Sequence, residues 1–124
     1  MSRDHTKLTV FAMADPLVDE IYRRTSGFPV EERYGLQSQM RRAALSVPTN
    51  IVEGCARKTE RDFLNSLDVA LGSACEVRYL VTVSARLEIL SATDREYLFP
   101  RYDELARALS GLMRSFSFDS RSGA

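Results

Sequence analysis

The 124-residue chain has no tryptophan and a single histidine, His5, which lies in the polar segment that opens the sequence. A histidine in that position excludes a Glu-x-x-His pair for a di-iron centre in a helical bundle. It also excludes a histidine general base and the Arg-to-His motif that helical ribonuclease toxins use. An enzyme of these classes is therefore not expected.

The chain has two cysteines, Cys55 and Cys75, without a CxxC motif or a Cys/His cluster around them. Neither a metal site nor a disulfide framework is expected, and both thiols are interpreted as small helix-packing residues. The glycines are isolated, so no phosphate-binding loop is present. The sequence predicts no cofactor, no metal and no catalytic residue, although Glu53, Asp68 and Glu76 could still form a carboxylate cluster across a bundle.

An excess of either charge is also missing, since 17 basic and 17 acidic residues give a formal net charge of zero. That balance is far from the basic composition of dedicated nucleic-acid-binding proteins. No apolar run approaches the roughly 20 residues needed to span a bilayer, and no apolar signal region follows the amino terminus. We expect a single cytoplasmic domain with no membrane contact.

A strong helical pattern dominates the first half of the chain, in a helix predicted from about Glu31 to about Ala56. Its apolar residues recur at steps of three and four, which places them on one face: Leu36, Met40, Ala43, Val47, Ile51 and Gly54. Pro48 lacks the N–H that would bond the Ala44 carbonyl, so a kink is expected there. The Asn50 amide is expected either to bond backbone or a neighbouring helix, or to contact a ligand.

Three further helices are predicted. The first starts near Thr9 or at Asp15, the third runs from about Glu60 to about Leu90 after a Thr59 cap, and the fourth begins at a capping box of Thr93 and Glu96. The short connections predict antiparallel neighbours. The expected fold is an all-α, antiparallel, up-down four-helix bundle over residues 8–117, with flexible termini at 1–7 and 118–124.

The third helix carries a second apolar stripe almost opposite its main one, and this stripe is a candidate oligomer interface: Val69, Tyr79, Leu80, Val83 and Leu87. A helix that is apolar on two opposing sides must be covered on both. Either a second copy of the chain covers this stripe, or other helices of the same monomer do.

A basic set is the main candidate for nucleic-acid contact: Arg33, Arg41, Arg42, Arg57, Lys58 and Arg61. Guanidinium groups bind phosphate bidentately, and repetition around an oligomer would add avidity. The alternative is structural pairing, with Arg41 or Arg42 bonded to Glu31, Glu53 or a neighbouring subunit. The sequence shows no aromatic platform interleaved with these arginines for stacking bases.

The run GLQSQMRRAALSVPTNIVEG, followed by RDFLNSLDVALGSACE, resembles the family named after proteins encoded in intervening sequences of bacterial 23S rRNA genes. Accessory proteins of diversity-generating retroelements are similar. The resemblance covers residues 8–117 and includes Pro48, Asn50, Glu53 and Gly54 as a structural motif. It implies a four-helix bundle that forms homo-oligomers, with pentamers among its members, and relatives that bind RNA or DNA and a reverse transcriptase.

Two functions follow as hypotheses. The first is a non-enzymatic, homo-oligomeric binding module that contacts RNA, DNA or a ribonucleoprotein through its arginines. The second is a structural or adaptor oligomer that binds a protein partner and no nucleic acid.

Overall fold

The computed structural model describes the backbone of residues 3–122 and the side chains of residues 3–116, and within this part of the chain it is all-α. Short 3₁₀ helices at His5–Lys7 and Val30–Glu32 precede the first two of four long helices. These helices are α1 (Thr9–Thr25), α2 (Leu36–Cys55), α3 (Glu60–Arg86) and α4 (Ala92–Ser122). The prediction of a four-helix bundle is confirmed.

Helices α2 and α3 run antiparallel, as the contacts between them show. Early residues of α2 lie beside late residues of α3: Met40 contacts Ser84, and further along the pair Ser46 contacts Ser73. Each helix packs against its neighbours in sequence, and α1 closes the ring against α4. Among the described residues no helix is both long enough and apolar enough to cross a membrane.

The predicted apolar stripes form the core. In α2 all the stripe residues are buried except Leu36, which is partly buried, and in α3 the main stripe is buried from Phe63 to Val81. Both elements thus place one face in a shared interior, as the helical period requires. Helix α1 takes the longer of its two predicted forms and passes through Pro16, and α2 is likewise helical through Pro48.

Gly54 marks the closest approach of α2 to α3. A Cβ atom added there would lie 2.8 Å from the Cβ of Ser66 and 3.4 Å from the carbonyl oxygen of Phe63. Real carbon atoms do not approach a Cβ at the first of these distances. The glycine of the family motif is therefore a packing residue, while Glu53 beside it is exposed.

Three predicted helix boundaries were wrong, for local reasons. Helix α2 begins at Leu36, because the Glu32 carboxylate accepts from the Leu36 backbone N–H at 3.1 Å and residues Val30–Glu32 form a separate turn. This capping satisfies one of the free N–H groups of the first turn. Helix α4 is capped by Ser91, whose Oγ accepts from the backbone N–H of Asp94 at 3.1 Å, and not by Thr93.

Helix α3 ends at Arg86 rather than near Leu90. The N–H groups of Ile89 and Leu90 both donate to the Ser84 carbonyl, at 2.9 and 3.0 Å, and Glu88 takes a left-handed φ of 61°. This turn reverses the chain and buries Leu90 in the core. The burial of Leu90 therefore ends the helix, although no glycine or proline marks this end in the sequence.

The two predicted flexible termini stay predictions. In the first, His5–Lys7 is helical, the Arg3 N–H donates to the Cys55 carbonyl at 2.6 Å, and the Arg3 guanidinium lies 4.2 Å from the Phe63 ring centroid. In the second, α4 continues to Ser122, beyond the predicted domain end at residue 117. Residues 1–2 and 123–124 lie outside the described part of the chain.

Tyr102 carries a hydroxyl that is buried without a hydrogen-bond partner among the described residues, and the residue is 1% exposed. Burial of an unsatisfied polar group costs about 1–3 kcal/mol. We expect Tyr102→Phe to raise the free energy of unfolding by about 1 kcal/mol in urea titrations. Tyr34→Phe, at a fully accessible hydroxyl, is the control and should change little.

The same burial raises the pKa of the Tyr102 hydroxyl far above its ordinary value. The folded protein keeps this proton at high pH, whereas the unfolded chain loses it above about pH 10. The free energy of unfolding should therefore fall as the pH rises through this range. Tyr102→Phe should lose less stability than the wild type between about pH 9 and 11, and an equal loss in both proteins would contradict this origin.

Candidate nucleic-acid interface

Arg41, one of the six predicted contacts, is turned toward α1. Its Nε donates to the Oγ1 of Thr25 at 3.0 Å, and its Nη2 donates to the carbonyl oxygen of Tyr22 at 3.1 Å. The guanidinium also lies 4.7 Å from the centroid of the Tyr22 ring. Gln37 adds a further link, because its Nε2 donates to the Thr25 carbonyl at 2.8 Å.

These contacts follow from the end of α1. The last carbonyl groups of a helix have no partner within it and carry its partial negative charge, so a cation and an amide donor stabilise them. Structural pairing was one of the two alternatives for Arg41, and the structure shows Arg41 bonded to the Tyr22 carbonyl and the Thr25 hydroxyl at the end of α1 rather than to Glu31 or Glu53. Arg41 and Gln37 hold α1 against α2.

Neighbouring arginines give a matched test of this role. Arg41→Ala should lower the free energy of unfolding by about 2 kcal/mol, because hydrogen bonds to a charged donor are worth about 1.5–3 kcal/mol. Arg42→Ala removes the same charge one residue further along and should change stability by less than about 0.5 kcal/mol. Urea unfolding followed by circular dichroism compares the two, and equal losses would contradict the assignment.

The other predicted arginines point to solvent. Arg33, Arg42, Arg57 and Arg61 are exposed, and none of them makes a hydrogen bond or an ion pair with the described residues. Lys58 is also exposed and interacts with another group of the chain. The cations lie near the two ends of α2, since Arg42 and Cys55 are separated by about 20 Å of helix.

Five of the nine arginines elsewhere in the described chain form ion pairs. Arg23 and Arg24 pair with Glu20, and Arg24 also pairs with Asp94 at 2.6 Å. Further ion pairs join Arg95 to Glu96 at 2.8 Å and link both Arg78 and Arg107 to one carboxylate, that of Asp103. Arg3 and Arg101 make no ion pair but lie over aromatic rings. Of the described arginines without an ion pair, a hydrogen bond or a ring contact, four lie on the α2 side, and the other two are Arg86 and Arg114.

A polar groove with a volume of about 470 Å³ runs between α2 and α3 beside Arg42. Tyr34, 90% exposed, stands at this groove. An exposed aromatic side chain thus lies in the same groove as Arg42, although the sequence pattern did not single it out. The predicted start of α2 at Glu31 placed Tyr34 inside a helix, whereas it lies in the open segment before Leu36 and directly after Arg33. The other lining residues are Gly35, Ser38, Gln39, Ala43, Ser46, Ser73 and Glu76.

Ser46 is the centre of a hydrogen-bond network at the floor of the groove. Asn50 Nδ2 donates to the Ser46 carbonyl at 2.8 Å and to Ser46 Oγ at 3.0 Å, while Ser73 Oγ donates to the same Oγ at 2.8 Å. A hydroxyl accepts two bonds and donates one. Ser46 also lines the groove, and Asn50 bonds the Ser46 carbonyl rather than the freed Ala44 carbonyl.

The second apolar stripe of α3 divides between core and surface. Leu80 is 6% exposed and belongs to the core, so its place in a separate stripe was wrong. Val83 is half-buried, while Val69, Tyr79 and Leu87 are 53%, 62% and 56% exposed. Three large side chains therefore remain uncovered by the monomer along this helix.

Three carboxylates were candidates for a cluster across the bundle. Glu53, Asp68 and Glu76 are all exposed, and Gln39 Nε2 donates to Glu76 at 3.3 Å. No group of three or more histidine, cysteine or carboxylate side chains within residues 3–116 is arranged to hold a metal ion.

Comparison with known proteins identifies relatives. A family model described as 23S rRNA-intervening sequence protein matches residues 6–111. A crystal structure from Bacteroides thetaiotaomicron, of a protein with unknown function from the S23 ribosomal protein family, has a TM-score of 0.78 and 22% identity. The match covers 85% of this chain and 95% of that one, and at this identity it shows the fold. No curated protein matches significantly.

Neither description names an enzymatic activity. The family match spans most of the bundle, including the whole of α1, α2 and α3. This chain therefore belongs to the 23S rRNA-intervening sequence protein family.

Proposed function

We propose that the protein is a non-enzymatic homo-oligomer that binds single-stranded RNA through the α2 side of each subunit. The observation that carries the proposal is that exposed arginines without an ion pair, a hydrogen bond or a ring contact gather at both ends of α2, whereas only two such arginines, Arg86 and Arg114, lie elsewhere among the described residues. An unpaired guanidinium on the surface can bind a phosphate without first breaking an internal contact.

The groove near the start of α2 offers contacts to an RNA base as well as to the sugar-phosphate backbone of the RNA. Tyr34 offers an open ring on which an unpaired base can stack, and Arg42 lies beside it to bind the adjoining phosphate. The Ser46 hydroxyl can donate to a phosphate or base oxygen. This combination favours single-stranded nucleic acid, since bases in a duplex are not free to stack on a side chain.

The neutral charge of the chain implies weak binding per subunit. Glu53 and Glu76 are exposed, and Glu76 lines the same groove as Arg42, so a nearby carboxylate opposes the binding of phosphate there. Repetition of these contacts around a closed ring would convert modest affinity into avidity. We infer that the exposed α3 residues Val69, Tyr79 and Leu87 form the subunit interface of such a ring, with five subunits as the family resemblance implies.

The test is fluorescence anisotropy with a labelled, mixed-sequence RNA over a range of salt concentrations. Arg42→Ala should weaken binding and make the slope of log K against log salt shallower by about 0.7 for each phosphate that is no longer neutralised. Tyr34→Ala should weaken binding about five- to tenfold and leave the slope unchanged, because stacking releases no counterions.

Arg86→Ala is the matched control, since it removes an exposed and unpaired arginine at the end of α3. It should leave both affinity and slope close to those of the wild type. The proposal fails if Arg86→Ala and Arg42→Ala have equal effects, or if the wild type binds no RNA at about 50 mM salt.

A second candidate is a protein-binding adaptor, favoured by apolar side chains on another part of the surface. Val30 is 66% exposed and Leu45 is 47% exposed, and Val52 follows Leu45 two turns later on the same side of α2. An apolar strip of this kind suits a helical or extended protein segment. An oligomer whose mass and stability do not change when RNA is added would favour this function.

A further inference from the structure

The groove between α3 and α4 gathers three arginines and no lining carboxylate. It has a volume of about 430 Å³, and Arg78, Arg107 and Arg114 line it together with Ser110 and Cys75. Leu71 and Ala106 form its apolar wall. None of these arginines belongs to the α2 side, because α3 turns Ser73 toward α2 and Arg78 toward α4.

A single carboxylate compensates this cluster. Arg78 Nη1 lies 2.8 Å from Asp103 Oδ1, and Arg107 Nη2 lies 3.1 Å from Asp103 Oδ2, so both oxygens of Asp103 are occupied. Arg114 is exposed and makes no ion pair with the described side chains. Three guanidinium groups against one carboxylate leave an excess of two positive charges at the groove.

One of the arginines, Arg78, is held in position before any ligand arrives. Arg78 is bound at both ends of its guanidinium, since its Nη2 also donates to Cys75 Sγ at 3.6 Å. Arg107 pairs with the other oxygen of Asp103, but its side chain is 80% exposed and can move to meet a ligand. Preorganised cations beside an apolar wall bind an anion more strongly than mobile ones in open water.

The spacing indicates the size of the anion. Arg107, Ser110 and Arg114 succeed one another at steps of three and four along α4, so the first and last are about 10 Å apart along the helix axis. One phosphoryl group can bind the N–H groups of Arg78 and Arg107 that Asp103 leaves free, while a second binds the Ser110 hydroxyl and Arg114. A groove of this volume also falls in the usual range for small-molecule sites.

We propose that the α3–α4 groove binds a diphosphate group, either free or as part of a nucleoside diphosphate. The two phosphoryl groups neutralise the excess charge, and the groove is open enough for an attached nucleoside. This site is independent of the RNA-binding surface proposed for α2.

The rate at which the Cys75 thiol is alkylated can be used to test this proposal. Cys75 is a partly exposed free thiol inside the groove, whereas the other free thiol, Cys55, is buried. Burial also raises the pKa of the Cys55 thiol, which slows its reaction. The rate of Cys75 alkylation by N-ethylmaleimide, followed by peptide mass spectrometry, therefore reports occupancy of this groove in the full chain.

Pyrophosphate and ADP should each slow Cys75 alkylation in a saturable way, and inorganic phosphate should require a higher concentration. Arg107→Ala and Arg114→Ala should each raise the half-protecting concentration about tenfold, the effect of removing one charge-assisted hydrogen bond. Both side chains are exposed, so the variants should fold, and circular dichroism checks this. Arg86→Ala, outside the groove, should leave protection unchanged.

The proposal is overturned if sodium chloride at equal ionic strength protects Cys75 as well as pyrophosphate does. It is also overturned if protection survives both arginine substitutions, or if an RNA oligonucleotide protects Cys75 while pyrophosphate and ADP do not. If pyrophosphate protects Cys75 and ADP does not, the ligand is inorganic diphosphate. If both protect it, the groove also binds nucleoside diphosphates.

Discussion

Gly54→Ala is expected to lower the free energy of unfolding by about 2–3 kcal/mol, a loss typical of overpacking. The new methyl group would stand 2.8 Å from the Cβ of Ser66, which is attached directly to the backbone of α3 and cannot rotate away. Helices α2 and α3 must then separate, and they form the most extensive helix pair of the bundle. Urea unfolding measures the loss.

Gly72→Ala is the matched control. A Cβ at Gly72 would meet nothing within 4 Å, and the residue is exposed to solvent in the middle of α3. The same substitution should therefore stabilise the protein by about 0.5–1 kcal/mol through helix propensity. The two glycines should respond with opposite signs, and a shared sign would contradict the close-approach interpretation.

A second substitution tests the named contact itself. Ser66→Gly removes the Cβ that the new methyl group of Gly54→Ala would strike, so the double variant should recover much of the stability. The coupling energy from this double-mutant cycle should be at least about 1 kcal/mol in favour of the pair. If the changes in the free energy of unfolding caused by the two substitutions were strictly additive, the strain of Gly54→Ala would not arise from its contact with Ser66.

Tyr79→Glu is expected to have the largest effect on assembly. If the outward face of α3 is the subunit interface, this change places an unpaired carboxylate where an aromatic side chain would be covered by the next subunit. Subunit dissociation constants should rise at least about 100-fold, and sedimentation velocity should show monomers where the wild type forms rings. Tyr79 is 62% exposed in the monomer, so the monomer should still fold.

Leu45→Glu makes the same kind of change on α2, at another exposed apolar residue. It should leave the oligomer intact if the interface lies on α3. Dissociation by Leu45→Glu, with Tyr79→Glu still assembled, would move the interface to the side of the bundle that the adaptor hypothesis uses.

The core of this bundle was predictable because it depends on one simple regularity. Residues such as Met40, Ile51, Phe63 and Leu67 recur at helical spacing, and all four are buried. Leu80 shows the limit of that approach. Periodicity assigns an angle around the helix, but it cannot say how far the two neighbouring helices reach around α3.

Helix ends were less predictable because they depend on contacts between residues that no pattern singles out. The early stop of α3 relies on the Ser84 carbonyl and on Leu90 entering the core, and Glu88 is an unusual residue for a left-handed conformation. The start of α2 relies on one carboxylate, that of Glu32. Neither helix boundary could be predicted without knowing which residues pack against it.

The candidate site was predictable in composition but not in arrangement. Arg41 and Arg42 are adjacent and chemically identical, yet one is hydrogen-bonded to Thr25 on α1 and the other is unpaired beside the groove. Only the packing of α1 on α2 separates them. Tyr34 was missed for a related reason, since its exposure follows from the late start of α2.

Light scattering on size-separated protein, with and without a mixed RNA oligonucleotide, tests the central claim most directly. At about 50 mM salt we expect a closed oligomer whose mass increases when RNA is added, and at about 200 mM salt the RNA should be released while the oligomer persists. An oligomer of unchanged mass in the presence of RNA at low salt would contradict nucleic-acid binding, and a monomer under both conditions would contradict the assembly on which that binding depends.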